Sequence, residues 1–181
     1  YQKKILGIKG NGNILINNKP DTINYEIIKN RDKFKFNTNI DLKNNKLLID
    51  FLDYEKKENL DASILMKGIY QHNNKISFDS ITLKEKNNII SFKNLNLLKN
   101  FKIVSLDSFK LNYLNKNKIK NQLFLKKTDS NYNIEGDSFD ATKLINKIME
   151  NDDEKTSLLH SFNSKINIKI KKTHIDKVNF I

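Results

Sequence analysis

The sequence predicts a mainly β protein, an antiparallel sheet with one short amphipathic helix near residues 140–150. Two observations carry this. Short runs in which apolar and polar residues alternate recur along most of the chain, the period-two mark of strands with one buried face. Near Asp140 that period gives way to the i, i+1, i+4, i+5 spacing of a helix.

The elements follow in order. Gly10-Asn11-Gly12-Asn13 reads as a hairpin turn between Ile5–Ile8 and Ile14–Ile16. Asn17-Asn18-Lys19-Pro20-Asp21 reads as the next break and holds the only Pro. Phe34, Phe36, Thr38, Ile40 and Leu42 alternate with Lys35, Asn37, Asn39 and Asp41. Leu47, Ile49 and Phe51 continue the period after a turn at Asn44-Asn45. Asn suits such turns because it tolerates the left-handed conformation and bonds its own backbone. Further pairs follow at Ile64/Met66, Ile76/Phe78, Ile81/Leu83 and Ile90/Phe92, then Phe109/Leu111/Tyr113, Leu123/Leu125 and Tyr132/Ile134. Ile166, Ile168 and Ile170 stand against Lys165, Asn167, Lys169 and Lys171 in the last run. About ten strands at this spacing imply antiparallel meander connections, since parallel pairing needs crossovers of about a dozen residues or more. The polar faces, rich in Lys, Asn and Asp, should face water.

The helix is read from Leu144, Ile145, Ile148 and Met149, with Ser138 or Asp140 as its cap. Asn151-Asp152-Asp153-Glu154 ends or interrupts it, and Leu158, Leu159 and Phe162 read as a second helical turn.

Composition excludes several functions. The chain of 181 residues has no Cys, which removes disulfides and thiolate metal sites. The net charge of +12 is made almost wholly of Lys, with Arg31 the only Arg. A nucleic-acid surface would use Arg for bidentate contacts and would cluster its charge, whereas Lys is scattered here. Nucleic acid is therefore not an expected partner; weak attraction to anionic lipid head groups is. No run approaches the roughly 18–20 apolar residues of a membrane span. The opening Tyr1-Gln2-Lys3-Lys4 and the final Phe180-Ile181 read as cuts through a longer chain.

No constellation carries catalysis. His72, His160 and His174 lack metal-ligand spacing, and Gly7, Gly10 and Gly12 form no phosphate-binding fingerprint. Glu150–Glu154 lacks the spaced ligands of a calcium loop. Asp61, Asp79 and Asp107 sit at edges of apolar runs, where turn acids are common. The expectation is a non-enzyme with no cofactor and no metal.

Ile134-Glu135-Gly136-Asp137-Ser138-Phe139-Asp140-Ala141-Thr142-Lys143-Leu144-Ile145 resembles a stretch of the AsmA-like superfamily: a strand ending in Gly, a small or acidic pair, then a step into a short helix. Leu60–Ile69 is similar to the segment where a sheet strand restarts. Ile76–Leu83 and Ile89–Leu97 look like paired consecutive strands, and Leu98–Leu114 like the strand pair that follows them. The resemblance implies a curved antiparallel sheet, an open groove or half-barrel with an apolar inner face. It further implies that residues 1–181 are a single β-rich module of a longer chain, in the periplasm and anchored to the inner membrane by an N-terminal segment. Its function would be to shield phospholipid acyl chains in a β-groove for transport between inner and outer membranes, a part of outer-membrane biogenesis. Each buried CH₂ is worth about 0.8 kcal/mol, so exposing a chain of roughly 16 carbons costs on the order of 12 kcal/mol. An apolar track removes that cost and breaks no bond. The candidate lipid-binding residues are Phe34, Phe36, Ile40, Leu123, Leu125, Ile166, Ile168 and Ile170. The alternatives are a structural or adaptor β-domain, whose closed core uses the same residues for packing and which binds an envelope protein partner, and a soluble periplasmic lipid or lipoprotein carrier with a helical lid.

Overall fold

A computed structural model of the chain describes residues 6–72, 75–100, 103–129, 131–149 and 165–176. Among these residues thirteen strands form: β1 Leu6–Ile16, β2 Lys19–Asn30, β3 Lys33–Leu42, β4 Leu47–Ile49, β5 Tyr54–Lys56, β6 Ala62–Gln71 and β7 Lys75–Glu85. They continue with β8 Asn88–Leu98, β9 Ile103–Ser105, β10 Ser108–Leu114, β11 Lys120–Thr128, β12 Asn131–Asp140 and β13 Ile166–His174. One helix, α1, spans Thr142–Met149.

Eleven strands make one open, curved sheet in the order β1-β2-β3-β6-β7-β8-β10-β11-β12-β13, with β9 attached to β8. β4 and β5 pair separately. Adjacent strands of the main sheet are antiparallel except the last pair, because β13 lies parallel to β12. This corrects the expectation of antiparallel meander connections throughout. The chain between those two strands carries α1, and a connection of that length is what parallel pairing requires.

The turns are made by residues that accept positive φ. Asn17 and Asn18 (φ 48° and 63°) close the β1–β2 hairpin between the partners Ile16 and Lys19. Two such residues give the primed turn whose twist matches the flanking strands. The expected turn at Gly10–Asn13 is absent, and β1 runs straight through it. Gly10 serves another purpose: Tyr25 is its cross-strand partner, and the phenol lies where a Cβ would stand. Pro20 is not a break either, since it lies in β2 opposite Leu15 of the edge strand. Phe51 leaves the strand pattern for a 3-10 turn at Asp50–Leu52, closed by the left-handed Asp53 (φ 50°).

Two bulges and one left-handed residue explain where the alternation changes parity. In β7, Phe78 faces Gly68 and Ser80 faces Lys67, so Asp79 is an extra residue. Asn94 (φ 51°) is its counterpart in β8, where Lys93 faces Ser80 and Leu95 faces Phe78. Ile76/Phe78 and Ile81/Leu83 thus point to one face from a single bulged strand. Asp137 does the same in β12, moving the inward set from Tyr132/Ile134 to Phe139/Ala141. Bulges bend a strand and increase its twist. Leu98 ends β8 instead of opening the long strand pair expected over Leu98–Leu114, and β9 is a three-residue strand.

α1 begins as expected. The Asp140 carboxylate accepts the Thr142 N–H (3.1 Å), and the first helical bond runs from Ile145 N–H to Ala141 (2.8 Å). Ser138 stays in β12. Leu144 and Ile145 pack on the core. The acidic run at 150–154 and the second helical turn at 158–162 lie outside the described residues.

Candidate functional site

The pleat places the inward residues of successive strands in transverse rows across one face. Ile23, Ile40, Ile64, Leu83, Ile90, Leu111 and Leu123 are each the cross-strand partner of the next. The row continues through Gly136 to Ile170. The adjacent row runs from Met66 through Ile81, Phe92, Phe109, Leu125 and Ile134 to Ile168. Beyond it lie Phe36, Gly68, Phe78 and Leu95, then Phe34, Tyr70, Ile76 and Leu97. Gly68 is required by its neighbours: a Cβ there would meet the Phe36 ring at 2.9 Å and collide with the Ser77 carbonyl.

All eight candidate residues lie on this face, but in different surroundings. Ile40, Leu123 and Leu125 are 8, 5 and 6 % exposed and belong to the packed interior. Phe34 and Phe36 are half-buried; they pack against Tyr70 (ring centroids 6.1 Å) and edge-on against Phe78 (5.6 Å). Ile166 and Ile170 are half-buried on the last strand, and Ile168 between them is 65 % exposed.

Leu125 is buried with Leu95, Leu106 and Tyr132, whereas Ile40 and Leu123 owe their burial to a cap over the other end. Residues 43–61, inserted between β3 and β6, fold as β4, the 3-10 turn and β5, and pack with α1 over the row that holds Leu42, Ala62, Tyr113 and Phe139. Tyr54 and Tyr113 meet edge to face (5.6 Å, 87°), a pairing worth about 0.5–1.5 kcal/mol beyond its area. Both hydroxyls are satisfied, Tyr54 donating to Glu85 Oε2 (2.6 Å) and Tyr113 to the Leu52 carbonyl (2.7 Å). Burial pushes both phenols well above the ordinary tyrosine value; the Glu85 carboxylate adds to this at Tyr54, and Asp140 and Asp53 add to it at Tyr113.

A polar knot fastens the insertion. Buried Asp21 accepts the Lys43 and Asn44 N–H groups (2.9 and 2.8 Å) and the Asn45 amide (2.8 Å). Burial alone would raise the Asp21 pKa, but these hydrogen bonds outweigh it and hold the carboxyl below the usual carboxylate range. Lys56 is wholly buried and donates to the Lys43 and Asn45 carbonyls (3.0 and 2.6 Å). Burial lowers its pKa, against the opposing pull of Asp21 and Glu85. On the other flank Asn121 accepts the Asp140 N–H (2.8 Å), and the Asn115 amide donates to the Asp140 carboxylate (2.8 Å).

Comparisons with known protein families, characterised proteins and solved structures give no match. What the face can do therefore rests on its own geometry. At one end it is a filled core. At the other, Leu106 and Ile103 pack with Leu95, Leu125 and Tyr132 into a second, smaller buried cluster, and Phe34, Phe36, Tyr70, Ile76 and Ile168 on the flanking strands stay partly exposed. Among those residues no His, Asp and Glu side chains converge as a metal set, and no helix is long and apolar enough to cross a membrane.

The cap was not legible in the sequence. Asn44-Asn45 reads as a simple turn, and Tyr54-Glu55-Lys56 has no extended alternation. The one available signal was the pair of aromatic residues Phe51 and Tyr54 among acids and lysines, too short a pattern to distinguish a lid from a loop.

Proposed function

We propose that this chain is a segment of an envelope protein that shields phospholipid acyl chains in an open β-groove. It would thereby support lipid transport between inner and outer membranes. The parent protein would sit in the periplasm, tethered to the inner membrane through another part of the chain. The observation that supports this most is the uncapped part of the inner face. Its apolar rows continue past the cap to Phe34, Tyr70 and Ile76, and across the sheet to the edge strand at Ile168. Ile168 is 65 % exposed on this face, and acyl tails laid along it would cover it. The track is then Phe34, Phe36, Ile166 and Ile168, with Ile170 where it runs under the cap. Ile40, Leu123 and Leu125 support it from below. No bond is broken in such a role, so no nucleophile is needed.

One observation favours the second reading, a closed-core adaptor that binds an envelope protein. The interior around Ile40 and Leu123 is already filled. The two readings separate on a photoreactive side chain placed in turn at Asn167, Ile168, Lys169 and Ile170 in cells with a Gram-negative envelope. The groove captures phospholipid at Ile168 and Ile170 and not at their neighbours, because successive side chains point to opposite faces. Capture of protein alone at all four would establish the adaptor, and equal lipid capture at all four would mean non-specific adhesion.

A further inference from the structure

The same register that builds the apolar rows of the inner face sets out charge on the outer one. One outer row runs from Asn37 of β3 through Lys67, Ser80, Lys93, Ser108 and Lys126 to Asn133 and Asn167. In sheet order a lysine stands on β6, β8 and β11, with a serine on the strand between each pair. Successive lysines of the row are therefore two strand spacings apart, about 9.6 Å. Lys110 of β10 lies between Lys93 and Lys126, two residues along its strand from Ser108, and faces Ser91 and Phe124. All four lysines are exposed.

Nothing neutralises them. From β3 to β13 the row holds no carboxylate, and among the described residues none of the four ammonium groups lies in an ion pair. The exposed Asp107, just before β10, accepts the Asn94 amide (2.7 Å). At the cap, by contrast, Lys19 pairs with Glu58 (2.6 Å), Lys46 with Glu55 (3.4 Å) and Lys116 with Glu55 (3.6 Å).

The lysines surround exposed apolar side chains on the same face. Phe124, opposite Lys110 and two residues from Lys126, is 46 % exposed, and Leu65, farther along the row of Phe124, is 37 % exposed. Cations spread among separate apolar groups match a bilayer surface, where ammonium groups meet anionic head groups and apolar side chains enter the interface. Such a surface is extended, so the lysines need not converge on one ligand, and their flexible stems carry the charges to a common plane. A nucleic acid fits less well: lysine lacks the bidentate fork of arginine, and leucine offers no ring for a base to stack on.

We propose that the outer face of β6–β11 docks on an anionic phospholipid bilayer, with Lys67, Lys93, Lys110 and Lys126 on the head-group phosphates and Phe124 in the interface. This surface is the reverse of the acyl-chain track, and it stands whether or not that track holds lipid.

The test is co-sedimentation of the intact chain with vesicles of phosphatidylcholine mixed with phosphatidylglycerol, and with vesicles of phosphatidylcholine alone. The chain binds the mixed vesicles more tightly and leaves them in high salt. Each lysine at an anionic surface contributes roughly fivefold, so K67Q/K93Q/K126Q loses about a hundredfold. K19Q/K46Q/K116Q removes the same charge from the cap and stays within about twofold of wild type, because charges more than roughly 10 Å from the contact are screened. A solvent-sensitive fluorophore on Phe124→Cys shifts to the blue on the mixed vesicles. Equal losses in the two triple variants mean attraction by net charge alone and overturn the assignment to this face, as does an unshifted label at position 124. Equal binding to both kinds of vesicle, or retention by single-stranded DNA without binding to the mixed vesicles, overturns the anionic bilayer as the partner.

Discussion

The two ends of the inner face are built from the same alternating strands and have different fates. At the capped end the inward residues meet a second layer, and Tyr54, Tyr113, Lys56, Asn45 and Asn121 are fully buried. Every polar atom drawn into that layer needs a partner, and hydrogen bonds such as Tyr113 to Leu52 and Lys56 to Asn45 supply them. At the uncapped end Phe34, Phe36, Tyr70 and Ile76 rest on one layer only and stay half-exposed. Period-two alternation therefore specifies which face is apolar but not whether that face is filled. What covers it is decided elsewhere in the chain, by the insertion at residues 43–61 at one end and by Ile103 and Leu106 at the other.

The largest expected effect lies under the cap. Tyr113→Ala removes a buried ring and its bond to Leu52, and should cost about 3–5 kcal/mol in urea unfolding. Phe34→Ala, on the open floor, should cost less than half of that. Equal losses would erase the distinction between the two ends.

Alkaline pH should act on the same layer. Tyr54 and Tyr113 have folded-state values raised above the ordinary 10.0, so the folded state holds their protons longer than the unfolded chain does. Their contribution is fully present below about pH 10 and is lost as pH rises above it, at up to about 1.4 kcal/mol per pH unit for each group. Tyr54→Phe, measured by unfolding between pH 9 and 11, should flatten that slope. An unchanged slope would place the phenol in water.

Gly136→Ala sharpens the comparison at the bulge, where a Cβ would collide with the Gln122 carbonyl and the Leu123 side chain beneath the cap. The loss should be about 1–3 kcal/mol. Gly12→Ala on β1, where a Cβ has open space, should stay within about 0.5 kcal/mol. The smallest effects belong to the outer face: Lys35→Asp should also fall within about 0.5 kcal/mol, whereas Phe36→Asp puts a charge on the apolar floor.

The sequence made the strand faces legible because each exposed Lys or Asn beside an inward Ile or Phe marks the pleat, as in β3 and β13. It also marked the start of α1 through the change of period at Asp140. The parallel placement of β13 was not legible, since pairing direction follows from the path of a connection and leaves no trace in alternation. Bulges were visible only as paired runs, Ile76/Phe78 and Ile81/Leu83, which read as two strands because one extra residue resets the parity. Of the candidate residues, sequence placed all eight on one face and could not separate Ile40 and Leu123, beneath the cap, from Phe36 and Ile168, beyond it.

That separation can be measured directly, because the chain has no cysteine of its own. Single variants Phe36→Cys, Ile168→Cys, Ile40→Cys and Leu123→Cys would be treated with a water-soluble thiol reagent, with and without phospholipid. The groove account predicts fast labelling at positions 36 and 168 that phospholipid suppresses, and slow labelling at 40 and 123 whether or not lipid is present. Labelling at 36 and 168 that phospholipid leaves unchanged would contradict it.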